Sequence, residues 1–288
     1  MVSLPDTLCY LNGEYTPLNQ AKVSVLDRGF IFGDGIYDVV PVYGRRLFRF
    51  EQHLARLERN LGKLRIPNPH TNEEWLERCR KLIAAHASED QMIYIQVTRG
   101  VAPRDHVMPK DIVPTVFIMA TAMKPPGTKA VHEGVACVTA EDFRWERGDI
   151  KSTSLLGNVM ARQVSADVGA TETILFREGQ LTEASSSNVW VVRDGAVYGV
   201  PKSEHVLEGI RYELIRELCE QEGIPFSLVP IDAAQVHGAD ELMISSASKE
   251  VLPVVLLDGQ PIGTGKPGPV FERIYSAYQG AKAAQSRA

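Results

Sequence analysis

Residues 149–158 read Asp-Ile-Lys-Ser-Thr-Ser-Leu-Leu-Gly-Asn, DIKSTSLLGN. The run starts as a loop at Asp149 and Lys151 and enters a helix predicted over about 155–168. A strand is predicted just upstream at 134–140 and another downstream at 172–177, so strand, loop, helix and strand follow in order. Further out, hairpin signals appear beside the helices. Asn12-Gly13 interrupts the apolar stretch 8–16, and Asp194-Gly195 and Asp258-Gly259 do the same later in the chain. Residues 37–43 (YDVVPVY) are rich in β-branched and aromatic side chains and read as a strand, 92–98 (MIYIQVT) and 115–120 (TVFIMA) read as buried strands, and a further strand is predicted at 241–246. Leucines at 54, 57, 61 and 64 predict a helix over 51–65, with His53, Arg56 and Asn60 on a different face. Further helices are predicted at 72–85, at 210–222 and after Pro269, while the small, polar end Gly280–Ala288 is expected to fray. Strands joined both by hairpins and by helices predict a mixed α/β (α+β) fold. The break MKPPGT at 123–128 predicts a boundary. It separates a smaller N-terminal α/β domain, 1–122, from a larger C-terminal α/β domain, 131–288, carrying Lys151, with 123–130 as linker.

Composition narrows the function. At 288 residues with 44% hydrophobic and 23% charged side chains, the chain is too apolar for a disordered protein. A net charge of -5 argues against nucleic acid as a partner. No apolar run approaches the ~20 residues that cross a bilayer, and the start MVSLPDTLCYLNGEY lacks the basic flank and apolar core of a secretory signal. Cys9, Cys79, Cys137 and Cys219 lie far apart with no CxxC, which predicts reduced thiols in a cytoplasmic protein and no metal site. The chain lacks GxGxxG after a strand, GxxxxGK[ST] and HExxH, and Ser185, Ser186 and Ser187 sit in no GxSxG elbow.

Two residues invite chemistry. A lysine that loses solvation has its pKa depressed and becomes nucleophilic toward a carbonyl, and Lys151 is placed for that at a loop end. Taken alone, the segment fits an exposed lysine paired with Asp149 better. Glu183, in LTEASSSNVW (181–190), precedes three serines and Asn188. It could simply cap a turn, but a buried glutamate needs a cationic partner, and a protonated ring nitrogen is one.

Together, IKSTSLLGN, its spacing to TEASSSN, the early DRGFIFGDGIYDVV and the later HVLEGI resemble the fold-type IV pyridoxal-phosphate aminotransferases, most nearly the D-amino-acid transaminases. The likeness runs from about Tyr10 to Tyr278. It implies that family's two-domain architecture, with pyridoxal 5′-phosphate as cofactor. By the same resemblance, Lys151 carries the cofactor as a Schiff base and shuttles the substrate proton, and Glu183 keeps the pyridine nitrogen protonated. Arg56 grips the phosphate, Leu207 packs on the ring, and backbone N–H groups at Ile210 and Arg211, with Ser246 and Ala247, seat the phosphate. Tyr37, Arg104 and His106 resemble the trap for the substrate α-carboxylate. In the family the loop with the last two comes from the neighbouring subunit, so a homodimer is implied. Departures are present: Gly209-Ile210-Arg211-Tyr212 replaces Gly-Ile-Thr-Arg, and Ala247 replaces a phosphate-binding threonine. Trp190 and Asp38 stand where relatives usually carry another aromatic and a glutamate. The implied reaction is ping-pong transfer of an amino group between D-amino acids and 2-oxo acids. An (R)-selective amine transaminase, a branched-chain L-amino-acid aminotransferase and an aminodeoxychorismate-lyase-like enzyme share the fold; a non-enzymatic cofactor carrier would not need a tuned ring nitrogen.

Overall fold

The computed structural model describes residues 5–287, which divide into two compact units. One contains the chain up to Lys124 together with Ile150–Leu155; the other contains Pro125–Asp149 and everything from Leu156 onward.

In the first unit the strands are β1 (Leu8–Leu11), β2 (Glu14–Pro17), β3 (Gly35–Tyr43), β4 (Arg46–Leu47), β5 (Gln91–Thr98) and β6 (Thr115–Ala122). They form an antiparallel sheet in the order β2-β1-β6-β5-β3-β4. The β1–β2 hairpin closes through Asn12 and Gly13, both at positive φ, which is why that dipeptide turns the chain there. Helix α1 (Arg28–Phe32) is short, and its N-terminus is capped by Asp27. Helix α2 (Phe50–Leu64) packs on β3, and α3 (Asn72–Ala85) packs across β1, β5 and β6. A capping box between Thr71 and Glu74 starts α3. Leu54, Leu57 and Leu61 of α2 and Trp75, Cys79 and Leu82 of α3 bury against Val40, Ile93, Ile95 and Ile118 of the sheet. Each such aliphatic side chain contributes roughly 1.5–3 kcal/mol by leaving water.

Segment Ile150–Leu155 belongs to this unit, whereas sequence reading put Lys151 in the C-terminal domain. The cause is backbone pairing. Tyr37 N–H donates to the Lys151 carbonyl at 3.0 Å, Thr153 N–H donates to the Gly35 carbonyl at 2.9 Å, and Ile36 bridges Ser152. Ile150 joins the buried cluster of the first unit. The start of β3 thus captures a segment remote in sequence.

The second unit holds β7 (Val135–Glu141), β8 (Glu172–Arg177), β9 (Gln180–Ala184), β10 (Asn188–Arg193), β11 (Ala196–Gly199), β12 (Phe226–Leu228), β13 (Glu241–Ser246), β14 (Glu250–Leu257) and β15 (Gln260–Pro261). Their order is β12-β11-β10-β13-β14-β7-β8-β9, with β15 added to β14. The pairs β11–β12, β14–β7 and β7–β8 are parallel and the others antiparallel. Helices are α4 (Thr128–His132), α5 (Leu156–Asp167), α6 (Ile210–Gln221), α7 (Ala233–His237) and α8 (Pro269–Arg287). Helix α5 covers β7 and β8, while α6 packs on α8 and β12. The end expected to fray is helical through Arg287, in keeping with the helix propensity of its Ala, Lys, Gln and Arg residues. No helix among the described residues is long and apolar enough to cross a membrane.

Candidate active site

Lys151 is half-buried in the first unit. Its Nζ lies 3.1 Å from the Tyr37 hydroxyl and 4.2 Å from the centre of that ring. Tyr37 in turn stacks on Tyr94 at 5.7 Å. The Lys151 N–H donates to Asn60 Oδ1 at 3.1 Å, and Asn60 Nδ2 donates to the Arg56 carbonyl at 2.8 Å. The lysine is therefore tied at its backbone to both β3 and α2, while its amine rests on a tyrosine.

Below it lies an ionic cluster. Arg56 Nε and Nη2 donate to the two oxygens of Asp38 at 2.9 and 2.8 Å, and the His53 ring Nδ1 meets Asp38 Oδ1 at 2.7 Å. His53, Arg56 and Asn60 are buried, although they face away from the leucine stripe. Burial alone would raise the pKa of Asp38, but the Arg56 charge and the His53 ring hold it far below the usual carboxylate range. Arg56, assigned by resemblance to the phosphate, thus has its guanidinium engaged on a carboxylate.

Arg104 and His106 are exposed on the loop between β5 and β6, and both gather around Phe32 of α1. The His106 ring centre lies 5.4 Å from that of Phe32, and the Arg104 guanidinium 5.5 Å. On the same ring, the Arg28 guanidinium sits at 4.8 Å; it donates to the Asp105 carbonyl at 2.5 Å and to Asp34 at 2.8 Å. Arg99 also clamps Asp34, at 2.7 and 3.0 Å. The loop is thereby fastened to α1 by a buried arginine.

Glu183 is in the second unit, buried on β9. Oε1 accepts Arg144 Nη1 at 2.6 Å; Oε2 accepts the Leu207 N–H at 3.2 Å and Asn188 Nδ2 at 3.3 Å. Arg144 also grips Asp142 through Nε at 2.9 Å and Nη2 at 2.8 Å, and Thr182 donates its hydroxyl to Asp142 at 2.8 Å. Burial opposes the charge on Arg144, but the two carboxylates outweigh it and keep the guanidinium protonated. Sequence reading missed Asp142 and Arg144; their signal, an acid and a base two residues apart in a loop, is too common to single out.

Leu207 is joined to Glu183 by its own N–H, and its carbonyl accepts Asn188 Nδ2 at 3.1 Å. Gly209 caps α6 with no side-chain partner, so the first N–H groups, from Ile210 onward, open the helix. Arg211 turns away from that end: it is buried, and Nη2 donates to the Tyr278 hydroxyl of α8 at 2.9 Å. Ser246 and Ala247 sit where β13 turns into β14, and Ser246 Oγ accepts the Lys249 N–H at 3.1 Å. A Cβ on Gly209 would lie 2.1 Å from Asn188 Oδ1. Gly209→Ala is accordingly expected to push Asn188 off Glu183 and cost about 1–3 kcal/mol, read as a lower urea midpoint. An unchanged midpoint would mean that Asn188 swings aside freely.

A half-buried lysine on a tyrosine hydroxyl, and a buried, arginine-paired glutamate next to an uncapped helix start, come from a chain whose residues 35–257 match the class IV amino-transferases; the chain belongs to that family and is an aminotransferase. Its similarity is more particular than that. It is 38% identical over 273 residues to a D-alanine aminotransferase of Staphylococcus haemolyticus, spanning 94% of this chain and 96% of that protein. A D-alanine aminotransferase of Bacillus licheniformis is 36% identical over 268 residues, spanning 93% and 94%. Among solved structures, the T.th. branched-chain amino acid aminotransferase with pyridoxamine 5′-phosphate superposes with a TM-score of 0.92 at 25% identity, covering 98% of this chain and 96% of that one.

Proposed function

We propose that this enzyme transfers amino groups between D-amino acids and 2-oxo acids, with pyridoxal 5′-phosphate as cofactor and two copies of the chain in the working assembly. The observation that supports it most is the amine of Lys151 resting on Tyr37 in a chain 38% identical to D-alanine aminotransferases over 94% of its length. The donor set suits the cofactor. Glu183 offers a carboxylate that accepts from Arg144, Asn188 and the Leu207 N–H, as it would from a protonated ring nitrogen. The start of α6 and the hydroxyl of Ser246 suit a phosphate. Leu207 is tethered beside Glu183 and suits the face of the ring. When bound, the cofactor supplies an electron sink for charge developing at the substrate Cα.

The chain supplies the rest. In each half of the cycle Lys151 Nζ would move one proton between the substrate Cα and the bound cofactor, so that the amine is regenerated before the next half begins. The Tyr37 hydroxyl holds that amine in place. Arg144 pairs its charge with the Glu183 carboxylate, which leaves that carboxylate placed to accept a further hydrogen bond. Arg104 and His106 offer a forked donor and an imidazole for the α-carboxylate. The second copy is favoured by Val25, Phe30, Val101, Val107 and Met108, exposed by 70, 71, 58, 73 and 47%, which cluster in sequence around α1 and the Arg104 loop. Four free, buried thiols suit a reducing, cytoplasmic compartment.

Mixing the holoenzyme with D-alanine, L-leucine or (R)-1-phenylethylamine tests the substrate class, with keto product measured in each case. Turnover of D-alanine well above the other two is the expected result. Turnover of L-leucine alone would overturn the D-amino-acid reading, and equal use of the amine would remove the carboxylate trap from it.

A further inference from the structure

Glu172 takes no part in the chemistry above, yet it is fully buried on β8. Three consecutive serine hydroxyls donate to it: Ser185, Ser186 at 2.5 Å and Ser187 at 2.7 Å. Lys249 Nζ lies 2.9 Å from the same carboxylate and 2.9 Å from Ser186 Oγ. Burial would raise the pKa of Glu172, but the Lys249 charge and these donors hold it below its usual range. A buried ion pair adds little net stability, because desolvation offsets attraction; what it adds is fixed geometry.

The geometry in question is specific. Ser185–Ser187 link β9 to β10, and so stand between Glu183 and Asn188. Lys249 lies in the turn between β13 and β14, and its own N–H is accepted by Ser246 Oγ. One lysine therefore reaches from the turn holding Ser246 and Ala247 to the serine turn that follows Glu183 on β9.

We propose that Glu172 and Lys249 are a positioning pair that ties these two turns together, fixing the spacing between the Glu183 carboxylate and the Ser246–Ala247 seat. This rests on the pyridoxal phosphate reading, in which Glu183 meets the ring nitrogen and the seat meets the phosphate. A cofactor that must satisfy both ends needs that spacing; one without a phosphate does not.

The test compares binding of pyridoxal phosphate and of pyridoxal to the apoprotein by fluorescence quenching. Lys249→Met alone leaves Glu172 uncompensated and endangers folding, so Glu172→Gln/Lys249→Met, which removes both charges, is the informative variant. Its dissociation constant for pyridoxal phosphate is expected to rise at least about tenfold, while that for pyridoxal stays within about twofold. The urea midpoint of the apoprotein should change little. A wild-type preference for the phosphorylated aldehyde that persists undiminished in the double variant overturns the tie alone, as does equal weakening toward both. A wild-type protein with no such preference overturns the cofactor reading, and the tie with it.

Discussion

Lys151→Ala is expected to lower kcat for amino-group transfer by about 10^4-fold or more, because in the proposed function Lys151 is both the nucleophile and the base. The loss should be chemical and not structural. The contacts that place this segment come from its backbone: Lys151 N–H to Asn60 Oδ1, the Lys151 carbonyl to Tyr37 N–H, and Thr153 N–H to the Gly35 carbonyl. Alanine retains all three. What it removes is the half-buried side chain with its amine on the Tyr37 hydroxyl, so stability from urea denaturation should fall by no more than about 1 kcal/mol. Rapid-mix measurement of keto acid released in the first turnover checks the claim. A variant keeping a tenth of wild-type turnover would show that another group carries the proton, and borohydride reduction followed by peptide mapping would then locate the amine involved.

Much of this arrangement is written locally in the chain. Asn12-Gly13, Asp194-Gly195 and Asp258-Gly259 all turn at positive φ, as a hairpin dipeptide must. The leucine spacing of 54, 57 and 61 places α2 on its sheet. What periodicity cannot show is that the opposite side of α2 is buried too. His53, Arg56 and Asn60 look like a solvated face until Asp38, on β3 well upstream, engages His53 and Arg56, and Asn60 bonds the backbone of Arg56 and Lys151. The same limit explains Lys151. Its motif marks it as chemical, but its place beside Tyr37 depends on pairing between segments far apart in the chain. Short elements such as β12, three residues long, carry too little pattern to register. Arg144 is invisible in the sequence for a related reason, since its importance comes from Glu183, which reaches it only in the folded sheet. Family resemblance supplies Glu183 and Leu207, and the structure gives each a physical anchor. For Arg211 the resemblance offers only a position, and the side chain is committed elsewhere, to Tyr278.

Asp38→Ala is expected to destabilise the protein by about 3–5 kcal/mol, because it removes the buried carboxylate that grips the Arg56 guanidinium through two hydrogen bonds. The cost should depend on pH in a defined direction. Asp38 has a folded-state pKa far below its unfolded value of about 3.9, so its contribution is complete above that value and is lost as pH falls toward the folded one. Wild-type and variant stabilities should therefore differ most near neutrality and converge below about pH 4. Urea denaturation across that range reads the difference directly. A constant gap at every pH would mean that the loss is one of packing and not of charge. The consequence for catalysis follows from the bonded path: Arg56 and Asn60 lie one turn apart on α2, Asn60 Nδ2 holds the Arg56 carbonyl, and Asn60 Oδ1 holds the Lys151 N–H. Loosening Arg56 loosens the helix turn that aims the lysine. Asp38→Ala should then lower kcat even at temperatures where the variant is fully folded, whereas Asp38→Glu, which keeps the charge with one more methylene, should recover most of the stability and the turnover together.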